Sequence, residues 1–484
     1  MEELTGLDAR FVYSETPTAH MHTLKVAVID LSGRSEALTP SRFIELMETR
    51  LDRLPALRRR MVQIPHRLGH PVWVEDPEFD LSRHVRWRVV ARPGGDRELA
   101  ALVSEIASTQ LPRSQPLWDL TVIEGLAGGL TAFVVKLHHS MADGGAAVAM
   151  LENAFVIDDA DAYSRPPAPE PLPTPRELYR QAARSRKRRL AGLPRFASQT
   201  AAGLTAAGRA RHTSAVTPPV PFSSPRTSLN VSLDRGRTFA MTALPIRELQ
   251  RIKRSTQTTF NDVFLAVCGG GLRRYLDRRG ELPTSSLIAG VPLATHLQER
   301  HFSGNHVDNL MLPVGSDVAD PVERLRVIHE AVQAARRVRE ALGTELFEYR
   351  AGLTPPHLYP LGIRLWARTR LANLTRPPIN LVASNVAGPR RPLGLDGGVL
   401  TALYSVGPIL EGIGLNITAW SYVDRLYVSV LGCPASLPEP WVLIDDLESG
   451  FDELQTATEA MIAEQASRAA RRTDREPSLS GDEA

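Results

Sequence analysis

At 484 residues, with 43% hydrophobic and 23% charged residues, the chain has the make-up of a soluble globular protein, long enough for two cores or one large two-part domain. A net charge of +3 is too mild to point to nucleic acid; the two cysteines, Cys268 and Cys433, exclude a disulfide framework or a cysteine-rich zinc site and fit a reducing, cytoplasmic setting. The opening "MEELTGLDARF" has no signal-peptide hydrophobic region and no apolar run approaches the roughly 18 to 20 residues of a membrane span, so any membrane contact is expected to be peripheral.

In chain order, "HTLKVAVIDL" (22–31) is rich in β-branched and apolar residues and predicts a strand. "PSRFIELMETRLDRL" (40–54) and "RELAALVSEIASTQL" (97–111) space their apolar residues at helical intervals. "LTAFVVKLHH" (130–139) predicts a second strand, running into "HHSMADGG", after which "AAVAMLENAF" (146–155) is helix-like. The proline-rich "RPPAPEPLPTP" (165–175) cannot pack as helix or central strand. Residues 176–211 hold ten Lys/Arg and one acid, Glu177, which predicts a solvated helix with flexible ends or a segment drawn to anionic headgroups or CoA phosphates. "TPPVPFSSP" (217–225) is a second break, followed by the helix-like "FNDVFLAVCGGGLRRYL" (260–276) and the strand-like "LYVSVLGC" (426–433). The mixture predicts an α/β (α+β) fold. The expected layout is an N-terminal half over 1–164, a basic, proline-rich crossover over 165–225, a C-terminal half over 226–466 and a disordered tail over 467–484.

Two imidazoles three residues ahead of Asp-Gly, at the end of a strand, raise three readings. A metal site would want three or more ligands, but adjacent residues of an extended strand point to opposite faces, and no HExxH or CxxC motif appears elsewhere. A hydrogen-bonded, inert histidine pair is the second. The third, which the setting favours, is a general base: a neutral imidazole can take a proton from an alcohol or thiol at physiological pH. Asp143 would then fix the local backbone, and Gly144 and Gly145 would leave room for a substrate.

"HHSMADG" resembles the HHxxxDG motif of CoA-dependent acyltransferases and of peptide-synthetase condensation domains. Within that group, "LDARFVYSE" (7–15), "PLWDL" (116–120), "FNDVFLAVCGGGLRRYL", "GVPLATH" with "GNHVDNLMLPV" (290–314) and "ASNVAGPRRPL" (383–393) resemble the bacterial wax ester synthase/diacylglycerol acyltransferase family, in family order from about residue 4 to 460. The resemblance implies a chloramphenicol-acetyltransferase-like fold: two similar halves with mixed sheets and a tunnel between them, CoA and acceptor arriving from opposite ends. It implies His139 as the base that activates an acceptor hydroxyl against an acyl-CoA thioester, His138 as its support and Asp143 as a structural carboxylate, with Gly144 lining the channel. Pro116, Leu117 and Trp118 match the PLW element, for acyl binding or packing, and Asn261 and Asp262 match the ND element. Asn261 has a helix N-cap as its plain alternative. Ser384 and Asn385 open the SNVPGP element and would donate hydrogen bonds near the site. Acyl-CoA enters as a substrate; neither cofactor nor metal is implied. Diacylglycerol or a long-chain alcohol is the implied acceptor, with peripheral contact to the inner membrane face or lipid inclusions.

Two departures stand out. Ala387 replaces the proline of SNVPGP, which loosens a turn, and His296 stands where an arginine would pair with the motif aspartate, leaving His296 or Arg300 to do so. A non-catalytic lipid-binding relative is therefore the rival reading, and nucleic-acid binding through residues 176–211 a third. Finally, "LYPLGIRLWARTRLANLTRPP" (358–378) sets Leu361, Ile363, Leu365 and Trp366 beside Arg364, Arg368 and Arg370. That pattern fits either a helix at a membrane interface or one packing its apolar face on the core.

Overall fold

The structure, a computed structural model, describes all residues except 34–37, 142–143, 155–170, 213–215, 295–306, 344–348 and 474–484. Its frame is a pair of six-stranded mixed sheets. The first runs, edge to edge, Gly394–Leu395, Gly398–Val406, His22–Asp30, Thr131–His138, Trp118–Glu124 and Val85–Val89. The second runs Val307–Pro313, Ile288–Ala294, Leu381–Ala387, Asn416–Tyr422, Arg425–Gly432 and Thr238–Pro245. A small third sheet joins Glu2–Glu3, Val72–Glu75 and Arg59–Val62. The predicted strands 22–31 and 130–139 are neighbours in the first sheet, and their nearly unbroken apolar runs follow from burial on both faces.

The two halves interlock. Gly398–Val406, from the C-terminal half of the chain, pairs antiparallel with His22–Asp30 and so removes what would be an exposed edge of unpaired backbone groups. From the second sheet, the Tyr422 hydroxyl donates to Leu400 O at 3.1 Å and the Tyr427 hydroxyl to Thr401 O at 2.8 Å. Buried Lys25 donates to Ser405 Oγ at 2.6 Å and lies 4.6 Å from the Trp420 ring centre, tying the sheets from the other side. A boundary at residue 226 therefore separates the chain but not the sheets.

The predicted helix at 260–276 is Phe260–Asp277, started by a capping box between Thr259 and Asp262. Its three consecutive glycines sacrifice helix propensity for close packing. A Cβ on Gly271 would lie 2.7 Å from Leu447 Cδ2, and one on Gly450 would lie 2.8 Å from Gly271 N, so the helix Pro440–Thr473 can cross here only against bare backbone. That second helix runs to Thr473, which corrects the expectation of disorder from residue 467.

The basic stretch after the first proline-rich break forms the helix Pro175–His212, and it is more firmly held than a solvated helix would be. Leu178 and Ala182 are buried, Arg189 pairs with Glu3 at 2.5 Å, and Phe196 stacks on Tyr349 at 4.6 Å. No helix among the described residues is long and apolar enough to cross a membrane.

Candidate active site

The motif strand ends at His138, and its neighbours on both sides hold the backbone at that point. His138 faces His22 across the ladder; its N–H donates to Leu117 O at 2.9 Å, while the His139 N–H donates to Met21 O at 2.8 Å. Leu117 thereby acquires a role its side chain did not advertise: its carbonyl fixes the histidine pair. Pro116, Leu117 and Trp118 are all buried. The Trp118 indole donates to Leu57 O at 2.7 Å and stacks on His84 at 4.4 Å. Trp118 also borders an apolar cavity of about 60 Å³ with Leu137, Ala147, Met150 and Leu151, the last three on the helix Gly144–Ala154 that follows the motif.

The two histidines have different surroundings, as adjacent residues leaving a strand must. His138 is 1% exposed. Its Nδ1 accepts the Ser140 N–H at 3.2 Å and lies 2.7 Å from Ser140 Oγ, which assigns the ring proton to Nε2. Burial, then the nearby Arg113 charge, then His139, hold its pKa well below the ordinary histidine value, so it is neutral. Nε2 points towards Glu15, 3.9 Å away, and Glu15 is ion-paired with Arg113. His139 is only half-buried, and its ring lies against Phe11 with centroids 4.2 Å apart and planes within 9°. Phe11 fixes the plane of the imidazole. It lies in "LDARFVYSE", but nothing in that string marks it as a partner of residue 139. Asp143, His296 and Arg300 lie outside the described residues; Gly144 opens its helix.

Glu15 and Arg113 also border a cavity of about 1050 Å³, whose wall carries Arg60, Arg67, Arg235, Arg364 and Arg368 along with Val12, Met61 and Leu111. Arg364 and Arg368 lie one turn apart on the helix Leu358–Arg368, but no local pattern groups that pair with Arg60, Arg67 and Arg235.

The remaining predicted site residues meet elsewhere. Asn261 and Asn385 line one cleft of about 660 Å³, which shares no lining residue with the arginine-walled cavity. Lys253, Arg254, Arg336 and Arg390 line it too, no carboxylate does, and none of these four cations is ion-paired among the described residues. Ala387, which ends the strand Leu381–Ala387 opposite Ser421 rather than lying in a turn, and Gly388 form part of its rim. Ser384, half-buried on the adjoining strand, does not line it. Asp262, the other residue of the ND element, does not line the cleft. It is 0% exposed, accepts the Thr259 N–H at 2.8 Å and sits 2.7 Å from His329 Nδ1, so it caps the helix and anchors His329 instead. Asn261 is not the cap; Thr259 is. No group of three His, Cys, Asp or Glu among the described residues is arranged to hold a metal.

Comparison with known proteins gives the family. Residues 4–264 match the wax ester synthase/diacylglycerol acyltransferase catalytic domain, and residues 303–455 match the C-terminal domain of the same family. A Mycobacterium tuberculosis protein named provisionally as a diacylglycerol O-acyltransferase is 37% identical over 461 residues, covering 94% of this chain and 96% of its own. A second protein of that organism, with the same provisional name, is 34% identical over 473 residues, covering 95% and 98%. Among solved structures, the wax ester synthase/diacylglycerol acyltransferase of Marinobacter aquaeolei VT8 superposes with a TM-score of 0.63 at 27% identity, covering 94% of this chain and all of that one. The first condensation domain of the calcium-dependent antibiotic synthetase, 16% identical with a TM-score of 0.55, covers 94% of this chain and 96% of its own and shares the fold. The two-halved fold is chloramphenicol-acetyltransferase-like, and the chain is an acyltransferase that belongs to the wax ester synthase/diacylglycerol acyltransferase family.

Proposed function

We propose that the protein transfers a long-chain acyl group from acyl-CoA to the free hydroxyl of diacylglycerol, making triacylglycerol, and to long-chain alcohols, making wax esters. His139 is the general base. The observation that carries this is the contrast within the pair: His138 is enclosed, while His139 is half-buried, held flat by Phe11 and pinned by its own backbone. His139 takes the hydroxyl proton as the oxygen attacks the thioester carbonyl. The tetrahedral intermediate collapses with loss of the CoA thiolate, which takes the proton back from the imidazolium. The ester and free CoA balance the reaction with no cofactor, metal or covalent enzyme intermediate.

Acyl-CoA carries several phosphate charges on one end and an apolar chain on the other. The acid-free cleft with Lys253, Arg254, Arg336 and Arg390 suits the first, and the apolar cavity beside Trp118 suits the end of the second. The larger cavity next to Glu15 is then left for the acceptor. An acceptor as insoluble as diacylglycerol must be drawn from a lipid phase, which supports peripheral contact of a cytoplasmic protein with the inner membrane face or lipid inclusions.

The test is CoA release from palmitoyl-CoA by purified protein with diacylglycerol, hexadecanol or no acceptor, beside His139→Ala. We expect acceptor-dependent release that falls by a factor of about 10² to 10⁴ in the variant while its thermal melt stays cooperative. Release unaffected by the substitution would remove His139 from the mechanism. No release with any acceptor, from folded protein, would favour a lipid-binding relative.

A further inference from the structure

We propose that the helix Leu358–Arg368, together with Leu374 and Phe222, docks the protein on an anionic lipid bilayer at the edge of the arginine-walled cavity. The inference rests on the acyl-transfer reading only in saying what the cavity would draw from that bilayer.

Leu358, Leu361 and Leu365 recur at helical spacing and form one stripe, yet they are 69%, 64% and 57% exposed. Gly362, within the stripe, has nothing within 4 Å of where a Cβ would sit. The helix already has its core contact on the other side. Pro360 is buried, the Tyr359 hydroxyl lies 3.3 Å from Ser14 Oγ, and the Arg10 guanidinium sits over the Tyr359 ring. The leucines are therefore not the packing face of this helix.

Beyond the helix, Leu374 is 76% exposed and Phe222 56%. Phe222 has φ +67°, a left-handed backbone that a bulky side chain rarely adopts, and one that sustains its outward position at a cost. The two residues lie on segments that run side by side: Ser224 Oγ donates to Pro378 O at 3.2 Å, Asn380 Nδ2 to Pro225 O at 2.6 Å, and the Ser232 N–H to Asn373 Oδ1 at 2.7 Å.

Charge selects the partner. Between Glu348 and Asp396 the chain has no acidic residue, while Arg364, Arg368, Arg370 and Arg376 fall within the patch. Arg364 and Arg368 also line the cavity, so the leucine stripe borders its wall. A bilayer offers hydrocarbon to the leucines and phosphates to the arginines at the depths where each side chain reaches.

The test uses the full chain and sedimentation with vesicles of phosphatidylcholine alone or mixed equally with phosphatidylglycerol. Wild type should partition to the mixed vesicles and prefer them. Leu361→Ser/Leu365→Ser should lower partitioning by at least about tenfold, and Arg370→Glu/Arg376→Glu should abolish the preference for phosphatidylglycerol. Both variants should keep wild-type CoA release with hexanol, an acceptor that needs no bilayer. Leu374→Ser, outside the helix, reads out the same loss of partitioning if the double leucine variant does not fold. Wild type indifferent to phosphatidylglycerol, or leucine variants that partition like wild type, would overturn the proposal. Vesicle binding without CoA release would sink the acyl-transfer reading and leave docking intact; release with hexanol but no vesicle binding would do the reverse.

Discussion

Acid should weaken this fold through identifiable histidines, and His70 is the clearest to isolate. It is 0% exposed; its Nε2 faces Gly352 O at 3.3 Å, so Nδ1, 2.8 Å from the Tyr13 hydroxyl, is the acceptor of that bond. Tyr13 sits on the helix Gly6–Ser14, two residues from Phe11, so this anchor also steadies the ring that flattens His139. Burial, reinforced by the Arg189 charge, lowers the His70 pKa to about 4. Unfolded, the same imidazole titrates near 6.5. The depressed value means that the unfolded chain binds the extra proton first. The contribution is therefore complete above about pH 6.5 and is lost progressively as pH falls from there towards about 4. Between pH 7.5 and pH 5 the loss comes to about 2 kcal/mol for this one residue. His70→Gln can keep both hydrogen bonds without titrating. Urea denaturation followed by tryptophan fluorescence, for both proteins at both pH values, separates the pH-dependent part from any fixed cost of the substitution. The variant should lose about 2 kcal/mol less than wild type on acidification. Equal losses would refute the argument. His20, with its pKa also lowered to about 4, mainly by burial and then by Arg237, should give the same signature.

Two further outcomes follow from the cleft that holds Asn261 and Asn385. Lys253→Glu/Arg254→Glu should raise the KM for acyl-CoA by about tenfold or more and flatten its dependence on salt, with a smaller effect on kcat, measured as CoA release across a salt series. Asp262→Asn should act on stability instead: with a buried, doubly used carboxylate weakened, unfolding should become about 1 to 3 kcal/mol easier while the KM for acyl-CoA changes by less than about twofold. A normal melt with an impaired KM would return Asp262 to the substrate site.

The features that could be read from the residues alone are those whose physics is local. A strand that will be buried on both faces has to be apolar throughout, so Thr131–His138 and His22–Asp30 announce themselves. Two histidines at the end of such a strand, with a flexible Gly-Gly start to the next helix, mark a place where side chains become free for chemistry, and the ordered motifs that accompany them identify the family. What separates His138 from His139 came from the position of the family motif alone, not from the physics of the residues themselves. Both are histidines; in the structure, burial, the Ser140 hydrogen bond and the Phe11 ring tell them apart. The PLW element was legible as a motif but not as a support, because its service to His138 is a backbone carbonyl that any residue possesses. Asp262 followed the same course: a carboxylate beside an asparagine reads as a polar pair, yet helix geometry turns one to the cleft and the other to the interior. The two cationic recesses, and the strand Gly398–Val406 lent to the opposite sheet, join residues more than a hundred positions apart. Sequence carries periodicity and short-range pairing; which distant charges share a wall is decided only when the sheets close on one another.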